Sequence, residues 1–190
     1  MRSGDVLLIS GSLRRASYNA ALLRAAANVL PLGVAHTWLD GLAEVPPYSE
    51  DDDGERAPAA VERLRRTIAA ADAVLIASPE YNGSLPGALK NAVDWASRPF
   101  PLNAWRDKPT AVIGASTGIF GAVWAQAQLR NALGLAGARV IEAELAVGSA
   151  HDAFLPSGAL RDPRLAADLR DVVAALVNAR EREPASRAAA

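Results

Sequence analysis

Three short segments of this 190-residue chain combine residue types suited to holding a polar, flat ligand. The first, residues 11–19, reads GSLRRASYN and follows a short apolar run. Backbone amides at a helix start lack intrahelical partners and favour an anion. Ser12, Ser17 and Asn19 add neutral donors there and Arg14 adds charge, so a phosphate monoester fits without a metal. The segment is neither a P-loop, lacking Gly-Lys-Ser/Thr, nor a GxGxxG turn. Ser17 fits equally well as a plain helix N-cap with both arginines solvated. The second segment, residues 78–95, reads SPEYNGSLPGALKNAVDW. Pro79 and Pro86 stiffen it, and Gly83 permits close backbone approach to a ligand. A heteroaromatic ring needs donors and acceptors along its polar edge and apolar contacts on its faces. Residues 79–83, with Glu80, Tyr81 and Asn82 among them, have both. Tyr81 also suits a surface or core position, Glu80 a solvated one, and Lys90 and Asn91 read best as helix surface and cap. The third segment, Ser116-Thr117-Gly118 followed by Gly121, can line the far side of a ring or simply turn the chain.

These segments need a scaffold, and the hydrophobic pattern describes one. Residues 6–9, 72–77 and 110–114 are short apolar runs, the mark of strands buried on both faces. Residues 34–39 and 139–145 read as two further strands. Helical spacing appears over 18–30, from Pro58 through Val61, Leu64 and Ile68, from Pro86 to before Pro99, and over 123–135 and 164–177. Strand and helix alternate five times, which predicts a parallel sheet covered on both faces with right-handed crossovers. For one domain of about this length, the expected architecture is a flavodoxin-like three-layer α/β sandwich with strand order 2-1-3-4-5. Its ligands bind beyond the carboxyl ends of the strands, where the three segments lie. The domain is expected to span residues 1–179, with a frayed tail over 180–190.

Composition narrows the chemistry. The net charge of -1 and the absence of a basic stripe argue against nucleic-acid and polybasic membrane binding. Without cysteine there is no disulfide, thiol catalyst or thiolate-held metal. The two histidines, His36 and His151, are too few for a multi-histidine metal site; the first reads as structural, the second as a surface residue. The run 51–55, DDDGE, lacks EF-hand spacing and reads as a solvated loop. Trp105 and Trp124 fit core, interface or ligand-face positions, with core or interface the better reading. Residues 6–9 are too short for a signal sequence or a membrane span, so a cytoplasmic protein is expected.

The strings GSLRRASYN, SPEYNGSLPGALKNAVDW and STG together resemble the NADPH-dependent FMN reductase family over residues 5–160 or so. That family includes quinone, azo-dye and chromate reductases. The resemblance implies that Ser12, Arg14, Ser17 and Asn19 hold the FMN phosphate. It implies that Pro79, Glu80, Tyr81, Asn82 and Gly83 hold the isoalloxazine ring, with Ser116, Thr117 and Gly118 on its other side. It further implies NADPH or NADH as reductant, a ping-pong mechanism, no side chain acting as acid, base or nucleophile, and a homodimer or homotetramer with the flavin near the interface. One departure stands out. Many relatives carry a second glycine, and often a basic residue, where this chain has Ala122-Val123-Trp124 after Gly121.

Two other readings compete. A flavodoxin-type electron carrier is usually strongly acidic, with a TGxT-like phosphate loop that is missing here. A flavin-free scaffold on the same fold is the other; a phosphorylated receiver fits badly, because no acidic pair closes the first strand.

Overall fold

A computed structural model describes residues 5–180. Its central strands are β1 (Asp5–Ser10), β3 (Ala73–Ser78) and β4 (Pro109–Ala115), the last two buried along their whole length. β2 (Ala35–Trp38) lies on one edge. With β5 at Arg139–Val140, the order β2-β1-β3-β4-β5 is parallel throughout, with Leu7 opposite Val74 and Ile76 opposite Val112. This is the predicted topology.

Side-chain alternation along the strands makes two cores. Val6, Leu8, Leu75 and Ile113 face α1 (Tyr18–Ala27) and α5 (Pro163–Arg180), meeting Leu22, Leu23, Val172 and Leu176. Leu7, Ile9, Val74 and Ile76 face α2 (Ala59–Ala70), α3 (Gly87–Ala96) and α4 (Val123–Leu135). There they pack on Val61, Ile68, Val93 and Leu129. The inner positions of each central strand, 6–9, 73–77 and 111–113, are apolar because both faces are covered.

The fifth strand departs from expectation. Residues 139–145 do not run as one strand but split into β5 (Arg139–Val140) and β6 (Leu145–Val147), both paired with β4. Thr110 pairs with Val140, yet Ile113 pairs with Leu145, so two residues bulge from the edge. Arg130 of α4 fills the gap. Its guanidinium donates to the carbonyls of Ile141 (2.5 Å), Ala143 (2.8 Å) and Val112 (3.2 Å), carbonyls that an unbroken ladder would have bonded. Burial pulls this guanidinium below its ordinary pKa, with Glu144 opposing.

Other boundaries shift for local reasons. α1 stops at Ala27, earlier than the apolar spacing to Leu30 suggested, and α5 runs on to Arg180. The rest of the tail, 181–190, lies outside the described residues. β2 is an edge strand that leaves Ala35, His36 and Thr37 exposed, so His36 has no core role. The acidic run is not wholly solvated either. Asp53 accepts from Arg65 at 2.7 Å and from the Gly54 amide at 2.8 Å. Burial pushes its carboxyl up, but these partners outweigh that and hold its pKa below the usual value. Trp105 is buried in the second core and donates its indole N–H to Val93 at 3.3 Å. Among the described residues no helix is long and apolar enough to cross a membrane.

Candidate functional site

β1, β3 and β4 end side by side, so the chain must leave the sheet at Gly11, Pro79 and Ser116 together. The three loops enclose a cleft of about 350 Å³. It is lined by Ser12, Arg14, Ser17 and Asn19 from the first loop, Pro79, Glu80 and Tyr81 from the second, and Ser116 and Thr117 from the third. Tyr18 and Ala115 line it too, and neither was singled out from the sequence. Tyr18 has a signal there in retrospect, an aromatic at the first turn of a helix with Arg14 one turn earlier.

The β1 end is built from donors. Ser17 caps α1, its Oγ accepting from the Ala20 amide at 3.3 Å, which leaves its O–H to donate outward. Both readings of Ser17, cap and donor, are thus compatible. Ser12 Oγ likewise accepts from the Arg14 amide at 3.4 Å and keeps its proton. The amides of Tyr18 and Asn19 open α1 and have no carbonyl one turn back within the helix. The Arg14 guanidinium lies 5.0 Å from the Tyr18 ring centroid, and that ring stacks on Phe154 at 6.5 Å. Hydroxyls, amides and a steered cation, with no carboxylate among them, are the donor set a phosphate dianion requires.

Asn19 has a second duty. Its Oδ1 accepts from the Ala115 amide and its Nδ2 donates to the Ala115 carbonyl, both at 2.9 Å. The buried amide therefore ties the start of α1 to the end of β4, with one Nδ2 proton left over. Gly11 supports the same closeness. A Cβ there would come within 2.7 Å of Leu89 and 3.2 Å of Pro79.

The second loop is a tight reversal. Tyr81 and Ser84 exchange backbone bonds at 2.9 and 3.1 Å, and Asn82 and Gly83 turn between them with φ of 53° and 74°. Asn-Gly is the pair that tolerates such a turn. This places Asn82 and Gly83 at an exposed tip, and neither lines the cleft. Gln128 of α4 fastens the tip, accepting from Ser84 Oγ at 2.7 Å and donating to the Gly83 carbonyl at 3.0 Å. Glu80 is no solvated carboxylate: its Oε2 accepts from the Ala125 amide at 3.0 Å, in the first turn of α4.

Lys90 pairs with Asp94 at 2.6 Å on the helix surface, as expected. Asn91 is not at the surface but latches the loop before α2. It accepts from the Tyr48 amide at 2.7 Å and donates to the Pro46 carbonyl at 2.6 Å, where Trp95 also donates at 2.8 Å.

The third loop is set by backbone packing. Gly118 donates to Ser116 Oγ at 3.1 Å and accepts from the Ser149 amide at 3.1 Å, so it braces the loop and does not line the cleft. Gly121, at φ 60°, leaves 2.5 Å between a Cβ and the Ala146 backbone carbon. Ala122, the residue after it, takes φ 67°, a left-handed conformation that is strained for alanine.

The family model of NADPH-dependent FMN reductases matches residues 5–152. An NAD(P)H-dependent FMN reductase of Pseudomonas aeruginosa is 46% identical over 160 residues, covering 84% of this chain and 85% of the relative. A quinone reductase of Pseudomonas putida is 39% identical over 159 residues, covering 83% and 85%. Among solved structures, the flavoenzyme NAD(P)H:(acceptor) oxidoreductase FerB of Paracoccus denitrificans superimposes with a TM-score of 0.84 at 37% identity, covering 94% of this chain and 97% of FerB. A Pseudomonas aeruginosa flavodoxin, at 20% identity and a TM-score of 0.52, shares the fold alone. A phosphate-shaped donor set at one end of the cleft, a stiff peptide edge at the other and these likenesses converge: the chain belongs to the NADPH-dependent FMN reductase family, oxidoreductases that work with FMN and NAD(P)H.

Proposed function

We propose that the three-loop cleft is the FMN site and that the protein passes electrons from NAD(P)H to a small acceptor, a quinone foremost, by a ping-pong mechanism. The observation that carries this is the meeting of a donor-only pocket at the start of α1 with the backbone-lined edge at Pro79–Tyr81. Ser12, Arg14, Ser17 and the first amides of α1 hold the phosphate, with the free Nδ2 proton of Asn19 beside them. Peptide groups of residues 79–83 meet the polar edge of the isoalloxazine, Tyr81 lies against it, and Ser116, Thr117 and Gly118 flank the other side. Asn82, Gly83 and Gly118 act through backbone position, since none lines the cleft. FMN, when bound, supplies the redox chemistry by accepting hydride and passing on the electrons. The chain orients it, and no side chain is required as acid, base or nucleophile. Reductant and acceptor use the same open space in turn, which is the structural basis of ping-pong kinetics. Quinone, flavin, azo compound and metal oxyanion all fit an open face; the name of the Pseudomonas putida relative favours quinone.

The experiment is a visible spectrum of purified protein with FMN, before and after anaerobic NADH or NADPH. Bound flavin that bleaches, with parallel double-reciprocal lines for a quinone, supports the reading. Arg14→Ala should weaken FMN binding about tenfold or more, since bonds to a charged group are worth about 1.5–3 kcal/mol. Unchanged affinity would overturn the phosphate assignment.

We also propose a homodimer or homotetramer. Phe100, Leu102 and Leu135 are 74%, 83% and 81% exposed, and Phe100 and Leu135 rim a hollow of about 230 Å³ that reaches Val93 and Ala132 between α3 and α4. Large apolar side chains around a helix groove suit a subunit interface. Sedimentation velocity of Leu135→Glu against the unaltered chain tests it.

A further inference from the structure

The segment that runs from β4 past Ser116 and Thr117 of the cleft into α4 carries no charge. Residues 109–129 contain no Asp, Glu, Lys, Arg or His. Where this segment meets solvent it presents aromatic rings. Phe120 is 56% and Trp124 50% exposed, and the two pack edge to face with centroids 5.0 Å apart. Their backbone is held firmly: Gly121 sits tight against Ala146, and the residue after Trp124 donates its amide to Glu80 of the cleft. Neither ring lines the cleft itself; the pair lies beyond its lining, beside the Ala125 amide that bonds Glu80.

The opening turn of α4 would ordinarily attract an anion. Here the Glu80 carboxylate already takes the Ala125 amide and places a negative charge at that turn. A phosphate arriving at this segment meets a carboxylate and no cation, while a neutral flat ring meets two aromatic surfaces. Among the described residues of the three loops, the cations are Arg14 and Arg15, both on the β1 side, and Arg14 is assigned to the FMN phosphate. A nicotinamide dinucleotide has two flat rings. One must lie over the flavin to react, and the other needs a second flat surface near the rim.

We propose that Phe120 and Trp124 form the stacking platform for the adenine ring of the reductant, and that this platform is indifferent to the 2′-phosphate, so that NADH serves at least as well as NADPH. The inference rests on the reading of the cleft as the FMN site. It assigns to Phe120 and Trp124 the role of specificity-determining residues for the donor.

The test uses the full chain loaded with FMN. Titration with NAD⁺ and NADP⁺, followed by indole fluorescence, gives affinity apart from turnover; anaerobic stopped-flow bleaching gives the apparent Kd and limiting rate for NADH and NADPH. NAD⁺ should bind at least as tightly as NADP⁺. Trp124→Ala should raise the apparent Kd for NADH about 5- to 10-fold with little change in limiting rate, the loss expected for removing one aromatic from under a base. Trp124→Arg should move the preference towards NADPH about tenfold, since a guanidinium pairs with phosphate. A strong preference for NADPH in the unaltered protein would overturn the inference, as would unchanged nucleotide affinity in Trp124→Ala. Sedimentation velocity covers the competing occupant: an oligomer that falls apart in Trp124→Ala makes the pair a subunit contact and also overturns it. If neither nucleotide bleaches bound FMN, the reading of the site fails and the platform with it. Bleaching with an indifferent Trp124→Ala sinks the platform alone.

Discussion

The two loops on either side of the cleft solve different problems. The loop after β1 is polar and carries the cation, and its internal bonds are long: Ser10 with Ser12 at 3.3 and 3.4 Å, and Ser12 with the Arg14 amide at 3.4 Å. Leu13, Arg14, Arg15 and Ala16 are all exposed. The loop after β4 carries no charge and is held by its backbone. Ser116 donates its amide to Val147 at 3.0 Å and Gly118 accepts from Ser149, while Gly121 and Gly148 let the strands of chain touch where no side chain fits. Charge recognition can tolerate a loop that settles around its ligand. A wall that sets the space beside a planar ring has to be rigid beforehand, so its position is fixed by packing.

The sharpest way to break this contrast is Gly121→Ala. A methyl there meets the Ala146 and Val147 backbone at 2.5–2.6 Å and must also adopt φ 60°. We expect a loss of about 2–4 kcal/mol in urea unfolding, as for strained, overpacked sites; an unaltered midpoint would mean the wall is not held by packing. Asn19→Ala comes next, because it removes the strut joining the two loops and leaves the buried Ala115 peptide without its partners. About 2–3 kcal/mol of stability should go, together with FMN affinity. If FMN affinity fell while stability held, Asn19 would belong to the ligand and not to the scaffold. Glu80→Ala is the mildest. It strips the cap from α4 and should lower stability by about 1 kcal/mol, readable as a small drop in Tm. A drop as large as that from Gly121→Ala would show that the second loop, and not β6, positions the wall.

Much of the site was legible because its elements repeat simple periods. Continuous apolar runs at β1, β3 and β4 identify strands covered on both sides, and the fold then brings their following loops together. The donor character of Ser12, Arg14 and Ser17 follows from residue type and from the helix that begins there. Pairings between distant segments were not legible. Asn19 looks like one more donor until Ala115 is seen opposite it, 96 residues on. Glu80 looks solvated until the α4 amides are placed beside it. Asn91 looks like a surface residue until the 45–48 loop folds back over it. Residues 139–145 read as one strand because Arg130, which bonds the bulged carbonyls, belongs to a different element.

The sequence by itself determined the layers, the strand order and the three loops that line the cleft, because burial on both faces of a parallel sheet leaves a pattern in neighbouring residues. Only the tertiary structure decided which polar groups are spent within the protein and which remain for a ligand. Such a group is satisfied by whatever lies opposite it in space, and the residue opposite is set by the packing of the whole sheet, not by its neighbours along the chain.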